Sequence, residues 1–348
     1  MMKIALKILF LLLLIGGTAW ILIDTNTAPY RKMEGKIFGT FYHIVYQSST
    51  DYDADILTRL QAVDASLSAF NPKSIVSQIN RNEPVKADAM FEQVFKLAME
   101  VSAATDGAFD ITVAPLVNLW GFGFASTDNI TLGRIDSIMP FVGYDKVKML
   151  ANKTINKQDK RTMLDFSAIA KGYGCDQVAA LLRKHGITNY LIEIGGEIVA
   201  NGINPDKRAW TVGIETPTYD DSTGIDKRSQ DAGMTATLSF PMEINAKKLH
   251  GLATSGNYRN FYIKDGQRYA HTIDPKTGCP VQHSLLSATV IAPNCAIADA
   301  YATAFMVMGL ETAQALLRAD SRLQAFLIYA DGEQTKTWHT PSLDKYIK

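Results

Sequence analysis

The residues best suited to chemistry lie in a run of alanines, Ala298-Asp299-Ala300-Tyr301-Ala302-Thr303-Ala304. Asp299 and Thr303 are four apart, so on a helix a carboxylate and a hydroxyl share one face, with small neighbours leaving room beside them. Two hard oxygens suit magnesium, which takes one or two protein carboxylates and completes its shell from water and phosphate. The same pair also fits a surface or capping carboxylate and a threonine bonded to its own backbone. In Asp165-Phe166-Ser167-Ala168-Ile169-Ala170-Lys171-Gly172 a strand end enters a helix through a glycine-containing turn. Backbone N–H groups and Lys171 there could bind phosphate oxygens, or Lys171 could be a solvated charge at an ordinary helix start. It is not a P-loop, because no Gly-x-x-x-x-Gly precedes the lysine and no Ser or Thr follows it. Ile194-Gly195-Gly196-Glu197 permits either close backbone approach to a ligand or a tight turn. Asp106-Gly107-Ala108-Phe109-Asp110-Ile111-Thr112 sets two carboxylates beside an aromatic ring, and His271-Thr272-Ile273-Asp274-Pro275 sets an imidazole near a carboxylate, in a catalytic or a structural role. A Gly-x-Ser-x-Gly elbow and a Gly-x-Gly-x-x-Gly turn are both absent, which removes the common serine-hydrolase and dinucleotide-binding readings.

These groups must be positioned by helices and strands that the periodicity already outlines. Ile56, Leu60, Val63 and Leu67 fall at helical spacing within residues 51–68, and Asp88 precedes a second helix with Phe91, Val94, Phe95 and Ala98 on one stripe. Residues 172–185 read as a helix closed by Gly186, followed by a strand pair, 190–194 and 197–201, about Gly195-Gly196. Trp210, Val212 and Ile214 alternate as a strand. Residues 217–232, rich in Asp, Thr, Ser and Gly, read as a surface loop without chemistry. Residues 260–273 alternate around Asp265-Gly266 as a hairpin, and a strand at 287–292 leads to a helix at 296–308. Helices and strands interleave without a steady βαβ rhythm, which predicts a compact α+β domain of mixed sheet and helices.

The 348 residues, 47% hydrophobic, suffice for a large core. Lys plus Arg and Asp plus Glu are 35 each, so no net field draws the chain to nucleic acid. Three cysteines, Cys175, Cys279 and Cys295, without a Cys-x-x-Cys pair, exclude a disulfide scaffold and a zinc ribbon. The N-terminus is uncharged from Ile8 to Ile23, and counting from Ile4 with Lys7 snorkelling gives 20 residues, enough to span a bilayer. A cleaved signal peptide competes with an uncleaved anchor, and the length of the apolar run favours the anchor. Both export the remainder, so the expected organisation is an anchor or signal at 1–24, a linker at 25–36 and one domain at 37–340. That domain would lie outside the cytoplasm, on the periplasmic side of a bacterial inner membrane.

Taken in order, eight segments resemble the ApbE family of FAD:protein FMN transferases. They are Phe38-Gly39-Thr40, Leu67-Ser68-Ala69-Phe70, Asp106 to Asp110, Asp165 to Gly172, Ile194 to Glu197, Ala253 to Arg259, His271 to Gly278 and Ala298 to Thr303. The resemblance implies an ApbE-like domain in which FAD is the substrate and magnesium polarises its pyrophosphate. A Thr or Ser hydroxyl of an acceptor protein, of the membrane-bound or exported redox kind, attacks the FMN phosphorus and AMP leaves. It further implies metal oxygens from Asp299, Thr303 and the Ala168 carbonyl. Flavin and phosphate contacts would come from Phe38, Phe70, Ala108, Phe109, Asp110, Asp165, Lys171 and Ile273, and a general base from His271. Phe38 stands where Met is usual, and Phe70 where many members have Tyr, so stacking survives there without a phenol hydrogen bond. Hydrolysis of FAD to FMN and AMP, and flavin binding without turnover, are the competing outcomes for such a site.

Overall fold

The computed structural model describes residues 7, 10–18, 28–123, 130–215, 234–244, 247–257, 261–264, 267–332 and 334–348. From the N-terminal side come β1 (Tyr30–Ile37), β2 (Thr40–Gln47), α1 (Asp53–Leu67), α2 (Ile75–Asn80), α3 (Ala89–Ala104), α4 (Ala114–Leu119) and α5 (Leu132–Ile138). The middle of the chain supplies β3 (Val147–Met149), β4 (Ile155–Lys157), α6 (Ala170–Lys184), β5 (Tyr190–Ile194), β6 (Glu197–Asn201), β7 (Trp210–Glu215) and β8 (Met234–Phe240). Then follow β9 (Met242–Ile244), β10 (Lys247–Leu249), β11 (Gly251–Gly256), β12 (Phe261–Lys264), β13 (Gln267–Ala270) and β14 (Leu285–Ala292). The last elements are α7 (Cys295–Met308), α8 (Leu310–Ala319), β15 (Gln324–Asp331) and β16 (Gln334–His339).

Eight strands form one sheet in the order β1-β2-β5-β6-β11-β14-β15-β16, each neighbouring pair antiparallel. Its central strand β14 is buried at every position, which requires cover on both faces. Alternation divides that burial. Ala288, Val290 and Ala292 of β14, with Ala325 and Leu327 of β15, join the core beneath α3, α6 and α7. Ile291, Phe326 and Ile328 pack instead against Trp210, Val212, Leu238 and Phe240 of the β7–β8 hairpin. A smaller apolar cluster gathers α4, α5 and Ile273 around Leu116, Leu119 and Trp120. The indole of Trp120 stacks on Tyr269 of β13 at 5.5 Å and donates to the Gly278 carbonyl at 2.7 Å.

The α+β class and most elements agree with the sequence reading, including both strands of the β5–β6 pair and the Asp88 cap, whose side chain accepts from Phe91 N–H. Helix α6 begins at Ala170, so Gly172 lies inside it. The hairpin predicted over 260–273 is present as β12 and β13, with residues 258–260 and 265–266 outside the described residues, as is the loop at 217–232. Two boundaries change. The stretch 25–36, expected as a linker, contains most of β1, whose charged side chains suit an edge strand and hide it from a periodicity reading. The domain also continues past 340, since Leu343 is fully buried and Ile347 bridges Leu238.

Helices α6 and α7 meet at Gly172, where an added Cβ would lie 2.3 Å from the Cys295 carbonyl oxygen. Gly172→Ala is therefore expected to force the helices apart and to cost about 1–3 kcal/mol of stability, read as a lowered midpoint in denaturant unfolding. An unchanged midpoint would mean that the crossing yields freely.

Candidate functional site

The crossing of α6 and α7 brings three ionisable groups together. Lys171, in the first turn of α6, lies with Nζ 3.6 Å from Asp299 Oδ1 and 3.5 Å from Glu197 Oε1. The two carboxylates are nearly sealed, with side chains 3% and 4% exposed, and Lys171 is 26% exposed. Asp299 Oδ2 accepts the Gly172 N–H at 3.0 Å, and Lys171 Nζ also donates to the Ser167 carbonyl at 3.2 Å. Glu197 Oε2 is buried without a hydrogen-bond partner. Burial pulls the Lys171 ammonium down, but Asp299 and Glu197 outweigh it and leave the lysine pKa raised. Burial pushes Glu197 up to about 8, against the pull of Lys171 and with the push of Asp299. Asp299 is likewise raised by burial, against Lys171 and the Gly172 N–H.

One turn beyond Asp299, Thr303 shares a hydrogen bond of 3.2 Å with Ser255 of β11. Just past the end of that strand, Asn257 Oδ1 accepts from Thr272 Oγ1 at 2.7 Å, which ties the segment holding His271 and Ile273 to the strand beside Thr303. The His271 ring lies edge-on to Phe122, 6.3 Å between centroids, and Ile273 is a buried member of the small apolar cluster. Asp274 is engaged in its own turn by Lys276 N–H and Thr277 Oγ1.

The phosphate-binding turn expected at 165–172 is anchored at its start. Asp165 N–H donates to the Ile111 carbonyl at 2.7 Å, while Asp165 Oδ1 accepts from the Ser167 N–H at 2.8 Å and its hydroxyl at 2.5 Å. Ala168 lies within this turn and so leads directly into Lys171 and Gly172. Asp110, next to Ile111, is buried. It accepts from the Thr112 N–H and hydroxyl at 2.7 and 2.6 Å and from Tyr144 N–H at 2.8 Å, and burial raises its pKa despite these bonds. Ala108 and Phe109 precede it, both buried. Phe38 occupies the β1–β2 turn at φ 52° with its ring against Gly174 of α6, where a Cβ would approach to 2.7 Å. Phe70, after α1, is 64% exposed.

Lys171 thus contacts both Asp299 and Glu197, and the Asp165 turn reaches it through Ser167, while Thr303 and the segment of His271 are tied separately to the end of β11. No group of three or more His, Cys, Asp or Glu side chains is gathered for a metal among the described residues. The available donors are instead hard oxygens of a carboxylate, a hydroxyl and main chain, a set that fits magnesium rather than zinc. The sequence reading treated Ile194 to Glu197 as a glycine question and did not single out Glu197. Its signal was the acid itself at an inward position of β6, where the burial alternates. Ser255 and Asn257 lie in the segment Ala253 to Arg259 that carries the family resemblance, but neither was singled out for a role.

The model of the ApbE family matches residues 38–327. The chain is 32% identical over 336 residues to the FAD:protein FMN transferase of Escherichia coli K12, covering 93% of this chain and 91% of the relative. It is 35% identical over 322 residues to the protein of the same name from Haemophilus influenzae, covering 86% and 88%. Among solved structures, the flavin transferase ApbE from Vibrio cholerae superposes with a TM-score of 0.78 at 31% identity, covering 92% of this chain and 99% of that one.

Lys171→Met would leave two sealed carboxylates without their cation. A carboxyl with a raised pKa holds more protons folded than unfolded, so its stabilising contribution is present at low pH and is lost as pH rises through the folded value. The variant should therefore be nearly as stable as the native protein below pH 4.5, the ordinary Glu value, and fall progressively behind towards pH 8, by about 3 kcal/mol. Melting curves across that range check this, and a gap independent of pH would contradict the pairing.

Proposed function

This chain belongs to the ApbE family, and we propose that it transfers FMN from FAD to an acceptor protein, with magnesium at Asp299, Thr303 and the Ala168 carbonyl. The observation that carries this reading is the trio of Lys171, Asp299 and Glu197 at a helix crossing, with Thr303 one turn further along α7. An ammonium and hard oxygens converge there, as a bound pyrophosphate with its cation requires. Magnesium, when held at this point, supplies positive charge to the pyrophosphate oxygens.

The chain's own groups do the remainder. Lys171 addresses the phosphate oxygens. Phe38, Phe70, Ala108, Phe109, Asp110, Asp165 and Ile273 hold the flavin and its phosphate side. His271 takes the proton of an acceptor Thr or Ser hydroxyl as its oxygen bonds to the FMN phosphorus, the bond to the AMP phosphate breaks, and AMP leaves with the bridging oxygen. The product is FMN in phosphoester linkage to the acceptor, an exported or membrane-bound redox protein.

The N-terminal segment completes the proposal as an anchor in a bacterial inner membrane, with the domain on the outer side. Residues 10–18 are helical, and Phe10, Leu11, Leu12, Leu13, Leu14 and Ile15 are all exposed, an apolar surface suited to lipid. Among the described residues no helix is long and apolar enough to cross a membrane, so the span rests on the uncharged run from Ile8 to Ile23.

Incubating the protein with FAD, magnesium and a candidate acceptor should yield AMP and a covalently fluorescent acceptor. AMP with free FMN would indicate hydrolysis, and neither product would indicate binding alone. His271→Ala should slow transfer by about 10² to 10⁴-fold with FAD affinity nearly intact; near-native turnover in a folded variant would remove the base assignment. Lys171→Ala should weaken FAD more than FMN, and equal weakening would place that ammonium away from the pyrophosphate. Deleting residues 1–24 should leave a soluble, active domain, whereas failure to fold would mean that the apolar segment packs into it.

A further inference from the structure

We infer that Glu197 is a positioning residue for Lys171: it keeps the ammonium in place over the phosphate site when Asp299 is given over to a divalent cation. The inference rests on the flavin-transferase reading of the same site. Its ground is that one ammonium is shared by two buried carboxylates at nearly equal distances, 3.5 and 3.6 Å. One of those carboxylates, Asp299, is the one the reading assigns to magnesium. A cation on Asp299 takes up the charge that Lys171 otherwise shares, and places a second positive centre beside the ammonium. Without Glu197 the lysine would then keep only the Ser167 carbonyl at 3.2 Å, too little to hold a charge that is three-quarters buried.

Glu197 is built for that task from three sides. It follows Gly195 and Gly196, at φ 65° and 101°, in a turn closed by the Gly196 N–H on Glu193 Oε1 at 2.7 Å. A Cβ on Gly195 would lie 2.7 Å from Thr40, so the turn is pressed against β2 and cannot drift. The main chain of Glu197 is also tied to the lysine's own helix, since Cys175, one turn past Lys171, donates its thiol to the Glu197 carbonyl at 3.3 Å. The second carboxylate oxygen, Oε2, is buried without a hydrogen-bond partner, and the ion pair with Lys171 is made through Oε1. Among the described residues the cation in ionic contact with Glu197 is Lys171, and a buried acid kept at such a point acts through it.

The test is FAD affinity, followed by quenching of flavin fluorescence, for the full chain and for Glu197→Gln, Lys171→Met and the double variant, each with magnesium and with a chelator. Glu197→Gln should weaken magnesium-dependent FAD binding about tenfold while costing almost nothing further once Lys171 is Met, because interacting residues are non-additive. Its effect on FMN should be much smaller. Additive losses in the double variant, or equal losses for FAD and FMN accompanied by a lower melting temperature, would overturn the assignment and leave Glu197 a purely structural acid. If Glu197→Gln alone does not fold, recovery of folding in the double variant supports the coupling, and failure of both overturns it. A native chain with no affinity for FAD would overturn the flavin reading and this inference with it, whereas tight native binding with additive variants overturns the inference alone.

Discussion

An ammonium can be shared between two sealed carboxylates only where the elements carrying them meet backbone to backbone, and here that condition is the crossing of α6 and α7 at Gly172. With no side chain at this position, the first turn of α6 lies directly on the Cys295 end of α7. The Gly172 N–H then reaches Asp299, four residues into α7, and Lys171 next to it reaches the same carboxylate. The crossing is held from its other side by Asp176, whose two oxygens accept the Cys295 and Ala296 N–H groups at 2.9 Å each, so each helix binds the start of the other. Burial pushes Asp176 up to about 6 even with those two donors.

Such burial is costly. Each ion withdrawn from water forfeits several kcal/mol, and mutual attraction rarely returns more than the loss. Fully ionised, the trio of Lys171, Asp299 and Glu197 carries one negative charge in excess, with an orphaned oxygen on Glu197. A hydrophobic triplet of the same volume would suit the fold better. Under the proposed function the arrangement is intelligible instead as a receptor whose missing charge its ligands would bring: a divalent cation would reverse the excess, and a pyrophosphate would answer the cation. The stability forgone in this trio is the preorganisation it would offer to such ligands.

Much of this was legible in the sequence, and for a physical reason. Helices α1 and α3 announce themselves through apolar stripes, and β5 and β6 through alternation about two glycines, because each packs one face on the core. Asp299 and Thr303 were visible because helical spacing alone places them on one side. What stayed hidden depends on distant partners. Glu197 could be named from its motif, but its nearness to Lys171 follows from a turn pressed on Thr40 and a helix start 26 residues earlier, and neither can be read from local pattern. Strand β1 was hidden for the opposite reason: an edge strand has little to bury, and its charges read as a linker.

The molecule also divides the proposed reaction between two cores. The cation and phosphate groups sit on the large sheet and its helices, where Ala298, Ala300, Ala302 and Ala304 of α7 are wholly buried and leave little room for movement. His271 and Ile273 belong to a segment whose packing is the smaller cluster of α4, α5 and Trp120. The two meet at the end of β11, where Ser255 on the strand holds Thr303 and Asn257, just past it, holds Thr272. Since those two bonds are made only two residues apart, the segment that carries His271 is tied to the strand end beside Thr303. In the proposed reaction an acceptor hydroxyl would have to enter between them, so the chain that delivers it meets the phosphate side on the large core and the base on the smaller one.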